Sequence, residues 1–142
     1  MTNEIKHALI IKASSQKVFN AITNPVLLNN WWTLRCEGKP KIKEQYRFYF
    51  TPEYDWKGIV TRVIDNRMFE IKMTESNIDW NPTSFGFYLE KDNNGTLLCF
   101  YHKNWASRNY HFQHTSYCWA LLLKGLKDYV EKGIIVPFEK RA

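Results

Sequence analysis

Residues 109–132, NYHFQHTSYCWALLLKGLKDYVEK, decide the fold of this chain. Their apolar side chains recur at the three- and four-residue spacing of one helix face: Phe112, Trp119, Leu122, Leu123, Leu126, Tyr129 and Val130. Gly133 and Pro137 follow and predict where this helix ends. The residues before it have the patterns of strands. One long helix across a curved sheet can leave a hollow, so binding of an apolar small molecule is the leading hypothesis.

Composition sets limits on the class of protein. The 142-residue length suits one domain, residues 1–142, with a core large enough to fold without disulfides. Aromatic residues make up 16%, which supplies enough large rings to line a cavity. No stretch approaches the roughly 18 apolar residues of a membrane-spanning helix, and the first residues lack the apolar segment of a secretory signal. We therefore expect no membrane span and a cytoplasmic location, where Cys36, Cys99 and Cys118 stay reduced.

The formal net charge of +6 comes from scattered cations. Lysines alternate in the loop 39–43, and Lys124, Lys127 and Lys132 fall on the outer face of the last helix. No Arg-rich recognition helix, zinc-finger spacing or RNP-type aromatic motif accompanies them. A solvated surface explains this distribution, and we expect no nucleic-acid partner.

Period-two alternation and helix signals predict the order of the elements. We expect a first strand over 4–12, then a short helix capped near Ser14 and a second short helix from Pro25 to Trp31-Trp32. Further strands are expected over 46–50, 56–65, 68–74, 85–89 and 96–103, followed by the long helix. Gly58 predicts a bulge, and Asn94-Gly95 predicts a type I′ hairpin turn. Five or six antiparallel strands between helices place the chain in the α+β class, in one domain.

Several segments resemble one known family. They are IKASSQKVFNAITNP (11–25) with the pair Trp31-Trp32, GIV (58–60), GTLL (95–98) with His102, and WALLLKGLKDYVEKG (119–133). Together they resemble the helix-grip fold of the START/Bet v 1-like (SRPBCC) superfamily, and within it the AHSA1-like family, named for the C-terminal domain of an Hsp90 ATPase activator. The resemblance implies a curved antiparallel sheet wrapped around a long C-terminal helix, with two short helices after the first strand.

The chain departs from that family pattern in two places. Residues 39–44 lack the glycine-rich turn usual before the second strand. The tryptophan usual at the end of the fourth strand is replaced by Met73 or Thr74, with Trp80 displaced into the following loop. Both departures affect the expected mouth of the cavity.

The predicted cavity lies between the concave sheet face and the last helix, with few polar groups among apolar walls. Its expected lining residues are Trp56, Phe69, Ile71, Met73, Trp80, Phe85, Phe87, Leu98, Phe100, His102, Phe112, Ser116, Trp119 and Leu123. His102 is the candidate polar contact for a ligand. The expected partner is an apolar or lipid-like small molecule.

Metal and acid–base chemistry have weaker support. His111, His114 and Cys118 share one helical face, but no second cluster supplies a fourth ligand, so we expect no metal and no cofactor. Glu75, Asp79 and His102 could serve acid–base chemistry, yet no catalytic motif accompanies them. An enzyme is therefore the less favoured interpretation, and a cyclase-type enzyme on the same fold stays an alternative.

The sequence also leaves two kinds of protein partner as alternatives. The family resemblance implies contact with an Hsp90-type chaperone and stimulation of its ATPase. The animal and fungal activators carry an extra N-terminal domain that this sequence lacks, which makes a dedicated co-chaperone role the weaker expectation. Leu97, Cys99 and Tyr101 add a second apolar face to strand 96–102, and this surplus predicts packing against another copy of the chain.

Overall fold

The computed structural model describes residues 3–142, which form a seven-stranded antiparallel sheet and one long helix. The strands are β1 (Asn3–Ile11), β2 (Arg35–Glu37), β3 (Gln45–Thr51), β4 (Tyr54–Ile64), β5 (Met68–Glu75), β6 (Ser84–Asp92) and β7 (Gly95–Trp105). The helices are α1 (Ser15–Thr23), α2 (Pro25–Leu28) and α3 (Tyr110–Lys132), followed by a 3-10 turn at Phe138–Lys140. The strand order is β1-β7-β6-β5-β4-β3-β2, so the first strand pairs with the last. This is the predicted α+β helix-grip architecture.

The predicted limits of α3 are confirmed. The side chain of Asn109 caps its start by accepting a hydrogen bond from the backbone N–H of Phe112 at 2.9 Å. Gly133 ends it in the left-handed region at φ 69°. Ser14 caps α1 through Lys17, as expected. No helix within residues 3–142 is both long and apolar enough to cross a membrane.

The second short helix is shorter than predicted. It begins at Pro25 but ends at Leu28 instead of continuing to Trp31-Trp32. The carbonyl of Leu28 accepts from the backbone N–H groups of residues 31, 32 and 33, which winds the chain into successive turns. These turns direct both indoles into the core, where Trp31 and Trp32 are 2% and 6% exposed.

Two details of the strands differ from expectation. The three-residue strand β2 was not predicted, because it is too short for an alternation pattern. The prediction of a type I′ turn at Asn94-Gly95 is wrong: the turn residues are Asn93 and Asn94, and neither has a positive φ. Gly95 serves another purpose, since a Cβ there would lie 2.3 Å from the carbonyl oxygen of Ile11. The predicted bulge at Gly58 is confirmed by a register shift against β5.

The core is dominated by aromatic rings gathered around Trp119 of α3. Its ring centroid lies 4.5 Å from that of Phe100, 5.0 Å from Trp32 and 5.6 Å from Phe85. Trp119 is 1% exposed. The concave face of the sheet is therefore close-packed against the middle of α3, as protein interiors normally are.

Side chains of α3 also cover the free edge of β1. Lys127 Nζ donates to the carbonyl oxygen of Ile10 at 2.6 Å, and Glu131 Oε2 accepts from the backbone N–H of Lys12 at 2.7 Å. Lys127 and Glu131 pair with each other as well. Because unpaired edge groups invite association with another strand, this covering protects the C-terminal half of β1.

The opposite face of the sheet carries a buried carboxylate, Glu70, which is 5% exposed. Thr61 donates to its Oε1 at 2.7 Å, Tyr101 donates to its Oε2, and Lys103 Nζ lies 3.3 Å away. The ring of Tyr101 reaches Glu70 across Gly86, where a Cβ would collide with it. Burial acts to raise the pKa of Glu70, but these hydrogen bonds and the Lys103 charge outweigh it and lower the pKa.

Candidate functional site

An open pocket of about 640 Å³ lies at one end of the sheet, beside the N-terminal half of α3. Four tryptophans form its floor: Trp32, Trp56, Trp80 and Trp119. The β3–β4 hairpin adds Phe50, Thr51 and Tyr54, and the loop after β5 adds Asn77. Helix α3 adds His111, His114, Thr115, Cys118 and Leu122, and the C-terminal tail adds Phe138, Glu139, Arg141 and Ala142. Its position suits a ligand that enters from solvent and meets aromatic walls.

The indoles hold each other in place. Trp56 packs on Trp80 with ring centroids 4.7 Å apart, and Trp80 stacks on Trp119 at 6.2 Å. Trp56 is itself held by Phe50 at 5.6 Å, across the hairpin. Aromatic pairs of this kind contribute about 0.5–1.5 kcal/mol beyond their area burial. The rings of the floor therefore support one another through direct contacts.

The tail that closes the far side is fixed by one arginine. Arg141 Nε donates to the carbonyl oxygen of Val136 at 2.9 Å, and its Nη1 donates to the carbonyl oxygen of Thr33 at 3.2 Å. The second bond ties the tail to the turns that present Trp32. Phe138 and Arg141 thereby become walls of the pocket.

The rim carries two polar pairs. His111 Nδ1 lies 2.8 Å from Asp79 Oδ2, and His114 Nε2 lies 3.4 Å from Cys118 Sγ. Burial raises the pKa of the Cys118 thiol, so this sulfur is not prepared as a thiolate nucleophile. Within residues 3–142, no group of three or more His, Cys, Asp and Glu side chains is placed to hold a metal ion.

His102 is enclosed behind the pocket floor, with no exposed surface. Its Nδ1 accepts from the indole N–H of Trp119 at 3.1 Å, and its Nε2 lies 2.7 Å from Thr83 Oγ1. Because Nδ1 is an acceptor, the proton resides on Nε2 and is donated to Thr83. Burial, with a smaller contribution from His111, lowers the pKa of His102 to about 3.

The structure separates the predicted cavity residues into two groups. Trp56, Trp80 and Trp119 line the pocket. The others do not line it: Phe69, Ile71, Met73, Phe85, Phe87, Leu98, Phe100, His102 and Leu123 are buried in the core, and Phe112 and Ser116 are half-buried. Phe112 packs on Trp105, and the backbone and hydroxyl oxygens of Ser116 face His7 Nε2.

Several wall residues were not among the predicted ones. Trp32, Phe50 and Tyr54 come from turns and a hairpin tip, and Phe138 and Arg141 come from the tail after α3. A signal existed for the hairpin, because three aromatic residues, Phe50, Tyr54 and Trp56, lie close to its tip. For the tail, the apolar run IIVPF (134–138) after the helix was a hint that this segment packs back onto the domain.

Comparison with known proteins identifies relatives of the whole domain. A sequence profile of the family described as Activator of Hsp90 ATPase homolog 1-like protein matches residues 12–131. The Aha1 dimer from Colwellia psychrerythraea, determined in solution, is 30% identical with a TM-score of 0.84, over 92% of this chain and 98% of that one. A comparison with the curated proteins found no match.

More distant structures share the fold alone. Protein SSP2350 from Staphylococcus saprophyticus is 16% identical with a TM-score of 0.82, over 99% of this chain and 98% of that one. CalU16 from Micromonospora echinospora is 17% identical with a TM-score of 0.72, over 93% of this chain and 77% of that one. The fold is thus retained at low identity.

The enclosed His102 generates a pH-dependence that can be measured. Its pKa of about 3 lies below the ordinary 6.5, so the unfolded chain takes up this proton first as the pH falls. The stability from neutral His102 is complete above pH 6.5 and is lost between pH 6.5 and 3. In urea titrations, the wild type should lose about 1.4 kcal/mol of unfolding free energy per pH unit from this group. His102→Gln, which can keep both hydrogen bonds without titrating, should lack that loss.

The matched control is His114→Gln, at an exposed histidine of α3. Equal pH slopes for the wild type and His102→Gln would contradict the assignment of a neutral, buried imidazole.

Proposed function

The chain belongs to the Activator of Hsp90 ATPase homolog 1-like family, and from that premise we propose that it binds an apolar or amphipathic small molecule in the tryptophan-floored pocket. The observation that carries this proposal is the floor itself: four indoles meet at the base of a recess that is open to solvent. Ligand sites are commonly concave, about 300–1,000 Å³, mostly apolar, and supplied with a few polar groups. The pocket volume of about 640 Å³ falls in this range.

The polar groups at the rim suit orientation of a ligand better than catalysis. A cyclase-type enzyme needs a titratable group beside the reacting atom. His102 is enclosed and has both ring nitrogens engaged, so such an enzyme would have to rely on His111 with Asp79. That pair lies at the mouth, where water has access, and binding is therefore the function we favour.

Filling the pocket should abolish binding of an apolar probe. The variant Cys118→Trp places a large ring in the recess from its α3 wall. We expect N-phenyl-1-naphthylamine to fluoresce when it binds the wild type, and its affinity to fall at least tenfold in the variant, because the added indole occupies the ligand volume. Tyr117→Trp introduces the same residue at the adjacent, 62% exposed position and should bind like the wild type.

Melting temperatures of both variants establish that they are folded. Equal probe affinity for all three proteins would place any binding elsewhere and would end the proposal.

A second candidate function is contact with an Hsp90-type chaperone. The family assignment and the likeness to the Colwellia Aha1 protein favour it. If it holds, adding the chain to an Hsp90-type ATPase should raise the hydrolysis rate in a saturable manner, because an activator acts through a complex. An unrelated protein at the same concentration is the control. An unchanged rate, together with no complex in gel filtration, would remove this candidate.

A partner surface is also offered by α3. From Tyr110 to Leu123 the helix has no Asp, Glu, Lys or Arg, although Tyr110, Tyr117 and Leu121 are 77%, 62% and 46% exposed. Exposed helix faces are normally polar, whereas interface centres are depleted of charge and enriched in tyrosine. We propose a second copy of the chain as the occupant, because the related Colwellia protein is described as a dimer.

A charge on this face should separate the two copies. We expect the wild type to elute with the mass of a dimer in gel filtration with light scattering, and Tyr117→Glu or Leu121→Glu to elute as monomers, because the new carboxylates would be desolvated in the interface. Ile64→Glu, at an exposed apolar residue of β4 away from α3, should leave the dimer intact. A monomeric wild type, or dimeric α3 variants, would refute this interface.

A further inference from the structure

Arg141 brings a permanent positive charge into the wall of the pocket. Its side chain is half-buried, and two of its five N–H groups donate to the carbonyl oxygens of Val136 and Thr33. Carbonyl oxygens hold the guanidinium in one orientation without neutralising it. The remaining three N–H groups stay available on a group that faces the pocket.

That charge has no carboxylate within ion-pair distance. Among residues 3–142, no ion pair within 4.0 Å involves Arg141, whereas Arg47 has Asp55 and Lys127 has Glu131. Glu139 lies on the same wall but is exposed to solvent, and it acts on Arg141 only from a longer distance. Burial lowers the pKa of Arg141 and the Glu139 charge opposes that effect.

Flat apolar surface lies directly beside this cation. The Thr33 carbonyl that holds the guanidinium follows Trp32, a member of the floor. Phe138 of the tail lies under Arg141, with its ring centroid 5.8 Å from Cζ. Trp32, Phe138 and Arg141 line the same pocket, so one ligand can contact both an aromatic ring and the guanidinium.

We propose that the pocket selects planar aromatic anions, with the ring on the tryptophan floor and a carboxylate or sulfonate on the guanidinium of Arg141. This inference rests on the proposed binding function and names its ligand class. A guanidinium matches the two oxygens of such a group, and charge-assisted bonds of this kind are roughly twice as strong as neutral ones. A neutral ligand would cover the guanidinium without pairing its charge.

The family profile ends before this residue. It matches residues 12–131, which include the floor tryptophans but not Arg141 or Phe138. The cation therefore comes from a segment that the profile does not describe. Such a segment can change the preferred ligand without altering the fold.

The test compares two fluorescent probes that share one ring system. 8-Anilino-1-naphthalenesulfonate carries an anionic group, and N-phenyl-1-naphthylamine lacks it. In Arg141→Gln we expect the sulfonate to lose about tenfold more affinity than the neutral probe, because the lost tail contacts affect both probes alike and the lost charge-assisted hydrogen bond affects only the sulfonate. Arg141→Lys should keep part of the preference for the sulfonate, because it retains the charge but not the planar fork.

A further variant, Glu139→Gln, removes the exposed negative charge from the same wall and leaves Arg141 in place. It should raise the affinity for the sulfonate and not for the neutral probe.

The preference for a flat ligand is tested by letting 1-naphthoate or its fully saturated analogue compete with the bound fluorescent probe. The flat acid should compete about two- to tenfold better, the range expected for an aromatic pair.

The outcomes separate this inference from the binding function. If Arg141→Gln weakens both probes equally, or neither, the anion selectivity is overturned and the pocket remains a binding site. If the saturated acid competes as well as 1-naphthoate, the proposed preference for aromatic ligands is overturned, and the ligand class becomes anionic amphiphiles in general. If both probes bind Cys118→Trp as tightly as the wild type, the proposed function itself fails.

Discussion

The indole N–H of Trp119 donates to the buried imidazole of His102, and this bond joins the middle of α3 to the sheet inside the core. His102 in turn donates to Thr83, which donates to the carbonyl oxygen of Trp80. The chain of bonds joins α3 to β7 and to the loop after β5. Every donor is satisfied only while the imidazole is neutral, because a protonated Nδ1 would face the indole N–H of Trp119 with a second donor. An unsatisfied group of this kind costs about 1–3 kcal/mol when buried.

This buried connection determines where space is left for a ligand. Trp119 is drawn down onto the sheet, and its ring fills the middle of the trough against Phe85 and Phe100. The pocket described above lies toward the start of α3, beside the β3–β4 hairpin and the tail. The rings that fill the middle are also the base of the pocket, since Trp80 and Trp119 belong to both. Trp80 and Trp119 therefore belong to the core and to the candidate site at once. The contacts that hold the core together also hold the base of the pocket in place.

The sequence predicts the elements well because their signals are local. Asn109 and Gly133 end α3 through their own side-chain and backbone geometry, and alternation places Phe85 and Phe87 on the inner face of the sheet. The position of the pocket could not be predicted in this way. Whether Phe100 lines a void or packs against Trp119 depends on how well rings from distant elements fill the space between them. The periodicity of the sequence does not contain that information. The wrong prediction of a type I′ turn has a similar origin: Gly95 follows the two turn residues, and it is required by its own φ of 141° and by the close approach of Ile11 in β1, a tertiary contact.

The distribution of charge separates the general surface from the pocket. Most cations that give this chain its net charge of +6 lie on the surface or in ion pairs, where they contribute little to selectivity. Arg141 differs because its hydrogen-bond partners are carbonyl oxygens, which orient the guanidinium but do not neutralise its charge. The four tryptophans lie within the segment that matches the family profile, and Arg141 lies after it. On the proposed function, the matched segment supplies the aromatic floor, and the tail supplies the charge with which an anionic ligand would pair.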